Sequence, residues 1–377
     1  MQQNIILGIN KLPQILNESG SKKLFIVTGS RSYQSLNFRD MIKSLDIERV
    51  YFTKFTSNPL YEEINKGIEL FKSEACDGIL AIGGGSPMDV AKCIKLAVLA
   101  KEGNDAIIPP LVNTCVEIDG TKIPFIAIPT TAGTGSESTH NAVMYYEGVK
   151  QTVTNDGILP DYAFLEPSVL KSLSLYQKKC TMMDALCQGI ESWWSVNSTE
   201  ESYEYSRKAI ELIIQNWEKY IFENDDQAAA NIMLGANYSG RAINITQTTA
   251  AHAMSYKITS LYGFPHGHAV AVCLPVIWKY MLDNLYHENY CVDTRGAEHL
   301  ICIFNDIAKA MNCNTAQEAI SKFKYMLSKL VLVNPVDSER NVSIQVLTNS
   351  INTTRLKNNP IVLDKKTVHL LYNIIIR

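Results

Sequence analysis

Three of the seven histidines of this 377-residue chain, His252, His266 and His268, fall within a 17-residue stretch. A carboxylate lies well upstream at Asp184, four residues before Gln188 in the run TMMDALCQ, so on a helix the two share one face. Carboxylate oxygen and imidazole nitrogen together suit a divalent cation, with zinc and ferrous iron the natural matches for an N/O donor set. Taken singly, each residue also has an ordinary structural explanation. Asp184 fits a cap or a surface charge, His252 fits hydrogen-bonded packing, and His266 and His268 fit a turn after Gly263-Phe264-Pro265. No compact HExxH spacing ties them together. Cys187, beside Asp184 on the helix, reads as a soft ligand or, more commonly for such a residue, as a small buried thiol.

A second chemistry-bearing region is rich in glycine. The apolar run ILAI at 79–82 leads straight into Gly83-Gly84-Gly85-Ser86-Pro87-Met88-Asp89. Glycines let the backbone approach a ligand closely, Pro87 suits a first helical turn, and free N–H groups at a helix start favour a pyrophosphate. The spacing is not GxGxxG, and a ligand-free strand-to-helix turn fits the same residues. A similar polar loop, Pro129-Thr130-Thr131-Ala132-Gly133-Thr134-Gly135-Ser136-Glu137, leaves the run FIAI at 125–128. Two such loops at successive strand ends match the ligand-binding edge of an open α/β sheet.

The elements that must position these loops are legible in the patterning. LFIVT at 24–28, Tyr51-Phe52 and FIAI read as strands and ILAI as a buried one, whereas Ile64, Ile68 and Phe71 recur at helical spacing. Alternating strands and helices predict a mainly parallel sheet covered on both faces. After Leu165-Glu166-Pro167 the pattern turns helical. Ile210, Ile213, Ile214, Trp217 and Ile221 form one stripe, Ser198 with Glu201 predicts its capping box, and residues 320–332 read as a further helix. The chain is therefore expected to pair an α/β domain over residues 1–175 with an all-α domain over residues 176–377. With 46% hydrophobic and 19% charged residues it has the composition of an ordinary globular enzyme. A net charge of −3 gives no basic surface for nucleic acid or acidic membrane. No run of about 18 apolar residues suggests a membrane span. Nine cysteines without regular spacing argue against a disulfide framework. With no basic leader in MQQNIILGINKLPQIL, the expectation is a cytoplasmic protein.

Together these segments resemble the iron-containing (group III) alcohol dehydrogenase family. The resemblance covers nearly the whole chain: SNP at 57–59, GGGSPMDVAK at 83–92, PTTAGTGSE at 129–137, DAL at 184–186 and HAMSYKITSLYGFPHGHAVAVCLP at 252–275, in the family's order. It implies an N-terminal dinucleotide-binding domain followed by a helical metal- and substrate-binding domain, the architecture also found in dehydroquinate synthase. Gly83, Gly84, Gly85 and Ser86 would cradle the pyrophosphate, with Asp89 near the nicotinamide side. Thr130, Thr131 and Thr134 would line the cofactor, and Lys150 would contact its ribose region. Asp184, His252 and His266 match three of four metal ligands. The implied cofactors are NADP or NAD with Fe2+ or Zn2+, the implied reaction is interconversion of a small aldehyde and a primary alcohol, and the implied assembly is a homodimer.

Three positions depart from the family. Gln188 stands where the fourth ligand is normally histidine, and its amide oxygen is a weaker donor. Tyr256 replaces a histidine, which moves any proton-relay role to Tyr256 itself or to His268. Gly29 replaces the acidic residue that selects NAD, and Gly29 with Ser30 and Arg31 would accept a 2′-phosphate, favouring NADP(H). Within the family the segments around 184–202 and 252–275 look most like the phosphonoacetaldehyde reductase branch, which implies reduction of phosphonoacetaldehyde to 2-hydroxyethylphosphonate. Lys257 and Arg241 lie in segments from which a cation could meet the phosphonate. Two other readings stay open: a lyase or cyclase similar to dehydroquinate synthase that uses bound NAD without net turnover, and a non-catalytic nucleotide-binding protein with a decayed metal site.

Overall fold

LFIVT, ILAI and FIAI are buried on both faces, within a first half whose described residues form eight strands. In the computed structural model, which describes residues 3–29, 33–34, 36–100, 122–351 and 353–377, these are β1 (Asn4–Leu7), β2 (Lys23–Thr28), β3 (Glu48–Phe52), β4 (Gly78–Gly83), β5 (Phe125–Pro129), β6 (Asn141–Tyr146), β7 (Val149–Thr154) and β8 (Tyr162–Leu165). The chain divides into two units, Met1–Leu173 and Ser174–Arg377.

In the first unit a six-stranded parallel sheet has the order β1-β8-β5-β4-β2-β3. The central strands β4 and β5 are buried at every position, which explains why they read as continuous apolar runs instead of alternating ones. The Tyr61–Ser73 helix buries Ile64 and Phe71 against this core, and Phe71 meets Phe25 edge-on with ring centroids 5.4 Å apart. Register aligns the strand ends: Thr28 pairs with Ile82, Ile82 with Ile128, and Gly83 with Pro129. The segments after β2, β4 and β5 therefore leave the same edge of the sheet. Strand order turns back between β2 and β4, the place where open α/β sheets bind ligands. The antiparallel β6–β7 hairpin turns at Glu147 and Gly148, both left-handed (φ 48° and 75°), as a tight hairpin turn matching strand twist requires.

The second unit is built of helices. The Leu175–Trp194, Glu200–Glu218 and Asp226–Thr246 helices pack together, with the Ala250–Tyr262 and His266–Asn284 helices beside them. Ile210, Ile213, Ile214 and Trp217 are buried, as their spacing predicts. The helix start expected at Ser198 lies one residue later. Thr199 is the cap and Ser202, not Glu201, completes the box, because the Ser198 hydroxyl closes the preceding turn by donating to the Ser195 carbonyl at 2.6 Å. The helix expected to reach residue 332 ends at Leu330, where Val331 turns left-handed (φ 56°). No described helix is long and apolar enough to cross a membrane.

Candidate functional site

Polar residues on a buried helix face mark the first part of the site. The Leu175–Trp194 helix, started by a Ser174–Gln177 capping box, carries Asp184, Gln188 and Glu191 at helical spacing on a face that is otherwise core. Asp184 is 3% exposed. From the Ala250–Tyr262 helix, buried His252 brings Nε2 within 3.4 Å of Asp184 Oδ1. From the first position of the His266–Asn284 helix, half-buried His266 brings Nε2 within 3.9 Å of the same oxygen. One ligand atom from each of the three residues lies within 4.8 Å of the others.

The donor set fits a divalent cation. His252 Nε2 is buried and has no hydrogen-bond partner, an expensive state for a ring nitrogen unless something else occupies its lone pair. Its other nitrogen is fixed. Glu191, fully buried, takes His252 Nδ1 on Oε2, and its Oε1 accepts from the Thr249 hydroxyl at 2.6 Å and the Ala251 amide at 2.8 Å. Glu191 thereby caps a helix whose own N-cap residue supplies no side-chain cap. It also fixes the tautomer of His252 so that Nε2 faces Asp184, the arrangement by which an outer carboxylate orients a metal-binding imidazole. Burial lowers the pKa of His252, but the Glu191 and Asp184 carboxylates outweigh it and raise it to about 10. Two buried carboxylates around one imidazole call for positive charge, which a proton or a metal ion can supply.

Glu191 was not singled out from sequence, although its spacing of seven from Asp184 puts it on the same helix face. Glu191→Gln is expected to lower metal affinity by about 10–100-fold while the fold persists. The amide keeps an oxygen for the helix cap but presents N–H to Nδ1, driving the ring to the tautomer whose N–H faces the metal. Competition against a chromophoric chelator measures this, and unchanged affinity would remove Glu191 from the site.

The remaining expected residues are placed differently. Gln188 lies next to Asp184, yet its Nε2 donates towards Asp184 Oδ2 at 3.4 Å and its Oε1 accepts from the Ser239 hydroxyl at 3.0 Å. Tyr256 stacks face to face on His266, with centroids 5.5 Å apart and planes within 4°. The relay role considered for His268 is not met by its geometry. Its Nδ1 pairs with the Tyr176 hydroxyl at 2.8 Å, its Nε2 donates to the Val333 carbonyl at 2.9 Å, and its ring stacks on Phe264. Both nitrogens are spent on structure, and burial lowers its pKa. Cys187 is a buried free thiol that lies outside the group formed by Asp184, His252 and His266, and burial raises its pKa well above the usual value. Arg241 packs on the Tyr205 ring at 4.1 Å and donates to its hydroxyl at 2.6 Å. Lys257 is half-buried.

In the first unit, Gly83 sits at φ 154° with its carbonyl accepting from the Thr130 amide at 2.9 Å, and a Cβ there would lie 2.4 Å from Pro87 Cγ. Cβ atoms at Gly84 and Gly85 would press on Thr131 and Thr134 at 3.3 Å each. The glycine and threonine loops thus pack against each other, and bulk at Gly84 or Gly85 would close the space between them. The Gly85–Leu99 helix starts without a side-chain cap, and the Ser86 hydroxyl donates to the Ser57 carbonyl. Burial raises the pKa of half-buried Asp89, with Lys92 and Lys150 pulling the other way. Lys92, whose role the sequence did not reveal, is fully buried and binds the Ser136 carbonyl, the Thr139 hydroxyl and the Asn141 carbonyl at 2.6–2.9 Å, pinning the threonine loop from below. Gly29 ends the run after β2. Ser30 and Arg31 lie outside the described residues.

Comparison with known proteins agrees with both halves. Residues 4–167 match the family iron-containing alcohol dehydrogenase, and residues 179–374 match the Fe-containing alcohol dehydrogenase family, C-terminal. The chain is 32% identical over 253 residues to the phosphonoacetaldehyde reductase of Streptomyces viridochromogenes, an alignment taking in 65% of this chain and 62%, less than two thirds, of that protein. It is 32% identical over 287 residues to long-chain-alcohol dehydrogenase 1 of Geobacillus thermodenitrificans, covering 74% of this chain and 72% of that one. In fold it is similar to the sulfoacetaldehyde reductase of Bifidobacterium kashiwanohense, crystallised with NAD+, with a TM-score of 0.85 at 22% identity over 99% of this chain and 96% of that one. The chain belongs to the iron-containing alcohol dehydrogenase family, a family of oxidoreductases.

Proposed function

We propose that this chain is a metal-dependent NAD(P)H oxidoreductase that interconverts a small aldehyde and its primary alcohol. The observation that carries the reading is the convergence of Asp184, His252 and His266, with Glu191 behind His252. A divalent cation bound there would polarise the carbonyl oxygen of the aldehyde. Asp184 and the two imidazoles hold that charge in place and leave open positions for the substrate oxygen. The backbone of Gly83, Gly84, Gly85 and Ser86 takes the pyrophosphate, Thr130, Thr131 and Thr134 line the nucleotide, and Asp89 and Lys150 serve its nicotinamide and ribose. Tyr256, stacked on His266, is the side chain assigned to return a proton from its hydroxyl to the product oxygen.

The absence of an acid at Gly29 supports acceptance of NADP(H) alongside NAD(H). Gly29→Asp is expected to shift the ratio of kcat/KM for NADPH over NADH downward by on the order of tenfold through charge repulsion; an unchanged ratio overturns the 2′-phosphate reading. The name of the Streptomyces relative supports an aldehyde bearing an anionic group, phosphonoacetaldehyde in the first instance. Of the two cations considered for that group, Arg241 is engaged with Tyr205, which leaves Lys257.

Metal binding carries a proton signature. Without metal, His252 stays protonated up to about pH 10, and a ligand imidazole must be neutral. Metal binding at pH 7 should therefore release about one proton, and affinity should rise about tenfold per pH unit towards pH 9 and fall as pH drops. Calorimetry in buffers of different ionisation enthalpy measures the release; none would mean that His252 is already neutral or is not a ligand.

The reaction itself is tested by NADPH and NADH oxidation against a panel of aldehydes that includes phosphonoacetaldehyde, with Fe2+ or Zn2+ supplied. Steady aldehyde-dependent oxidation is expected. Turnover of a phosphorylated sugar without net cofactor consumption would indicate the lyase reading. Failure to take up metal, with stability indifferent to chelator, would indicate a non-catalytic protein.

A further inference from the structure

Resting on the metal reading above, we infer that Gln188 is not a ligand but a positioning residue, and that the centre binds its cation through three protein side chains. Gln188 is 4% exposed and lies one helical turn beyond Asp184. Its amide spans two partners. Oε1 accepts from the hydroxyl of Ser239, a fully buried residue of the Asp226–Thr246 helix that shares this proton with the Ala236 carbonyl at 2.8 Å, and Nε2 faces Asp184 Oδ2. His252 and His266 both approach the other oxygen, Oδ1.

The carboxylate is thus divided. Oδ2 is occupied by an amide N–H, and Oδ1 is directed at the imidazoles. The hydrogen bond on Oδ2 leaves Oδ1 as the oxygen presented to the cation, at an angle that Gln188 sets. Turning the amide over would place Oε1 against Oδ2, two acceptors facing each other at the distance now bridged by a hydrogen bond. With one oxygen and two nitrogens from the protein, a cation of four or more coordination positions keeps at least one for the substrate oxygen.

The test uses the full chain loaded with Co2+ or Zn2+. Gln188→Met keeps the side-chain length and removes both polar ends. It is expected to weaken Co2+ binding by about tenfold through loss of Asp184 orientation, and unchanged affinity overturns the positioning role. The decisive measurement is diffraction from Zn2+-loaded crystals. Gln188 Oε1 beyond bonding distance, with Nε2 still on Asp184, supports the three-ligand centre, and an Oε1–Zn2+ bond sinks it while leaving the metal reading intact. A native chain that takes up neither ion overturns both.

Discussion

Asp184→Ala is expected to lower aldehyde turnover on the order of a thousandfold or more while leaving nucleotide affinity within about twofold. Asp184 supplies the single carboxylate oxygen that both imidazoles approach, so its loss removes the anionic ligand. Polarising a carbonyl through a bound cation is worth several kcal/mol, and each 1.4 kcal/mol or so is tenfold in rate. The rest of the constellation has independent support. His252 stays fastened to Glu191, and the glycine and threonine loops belong to the other unit of the chain. The measurements are metal content by mass spectrometry, steady-state kinetics and cofactor binding by nucleotide fluorescence. Retained metal with retained turnover would end the assignment of this cluster, and joint loss of metal and nucleotide binding would indicate misfolding.

The second large effect is expected at a residue with no side chain. Gly267 lies between His266 and His268 on the first turn of its helix, where a Cβ would fall 2.0 Å from the Cys180 carbonyl oxygen and 2.9 Å from Asp184 Cβ. The obstacle is helix backbone, which cannot rotate aside as a side-chain tip could. Gly267→Ala must therefore push the His266–Asn284 helix away from the Leu175–Trp194 helix, carrying His266 away from Asp184. Overpacking of this kind costs about 1–3 kcal/mol or more, and a displacement near 1 Å at a reacting centre costs on the order of a hundredfold in rate. The expected result is a loss of activity and metal affinity larger than the fall in melting temperature alone would produce. Gly189→Ala is the matched comparison on the facing helix. Its Cβ would meet Ile210 Cγ1 at 3.3 Å, a side-chain atom able to yield, so a small effect is expected. Equal losses from both variants would mean that Gly267 does not set the helix approach.

What the amino-acid sequence determined by itself was local. Continuous apolar runs at 24–28, 79–82 and 125–128 could hardly be anything but buried strands, and the 3.6-residue stripe from Ile210 to Trp217 could only be a helix packed on one side. The glycine and threonine loops were legible because they directly follow such runs, and Asp184, His252 and His266 because residue type and family motif coincide. Tertiary structure alone decided who touches whom. That Glu191 holds His252, that Ser239 meets the amide of Gln188, that Tyr176 and Val333 occupy both nitrogens of His268, and that Gly267 must be bare are facts about residues 51–92 positions apart. Helical periodicity says which face a side chain is on, but a buried hydrogen bond forms only between groups that chain packing brings within about 3 Å. That distance depends on how close two helix backbones come, a quantity no spacing along one segment encodes.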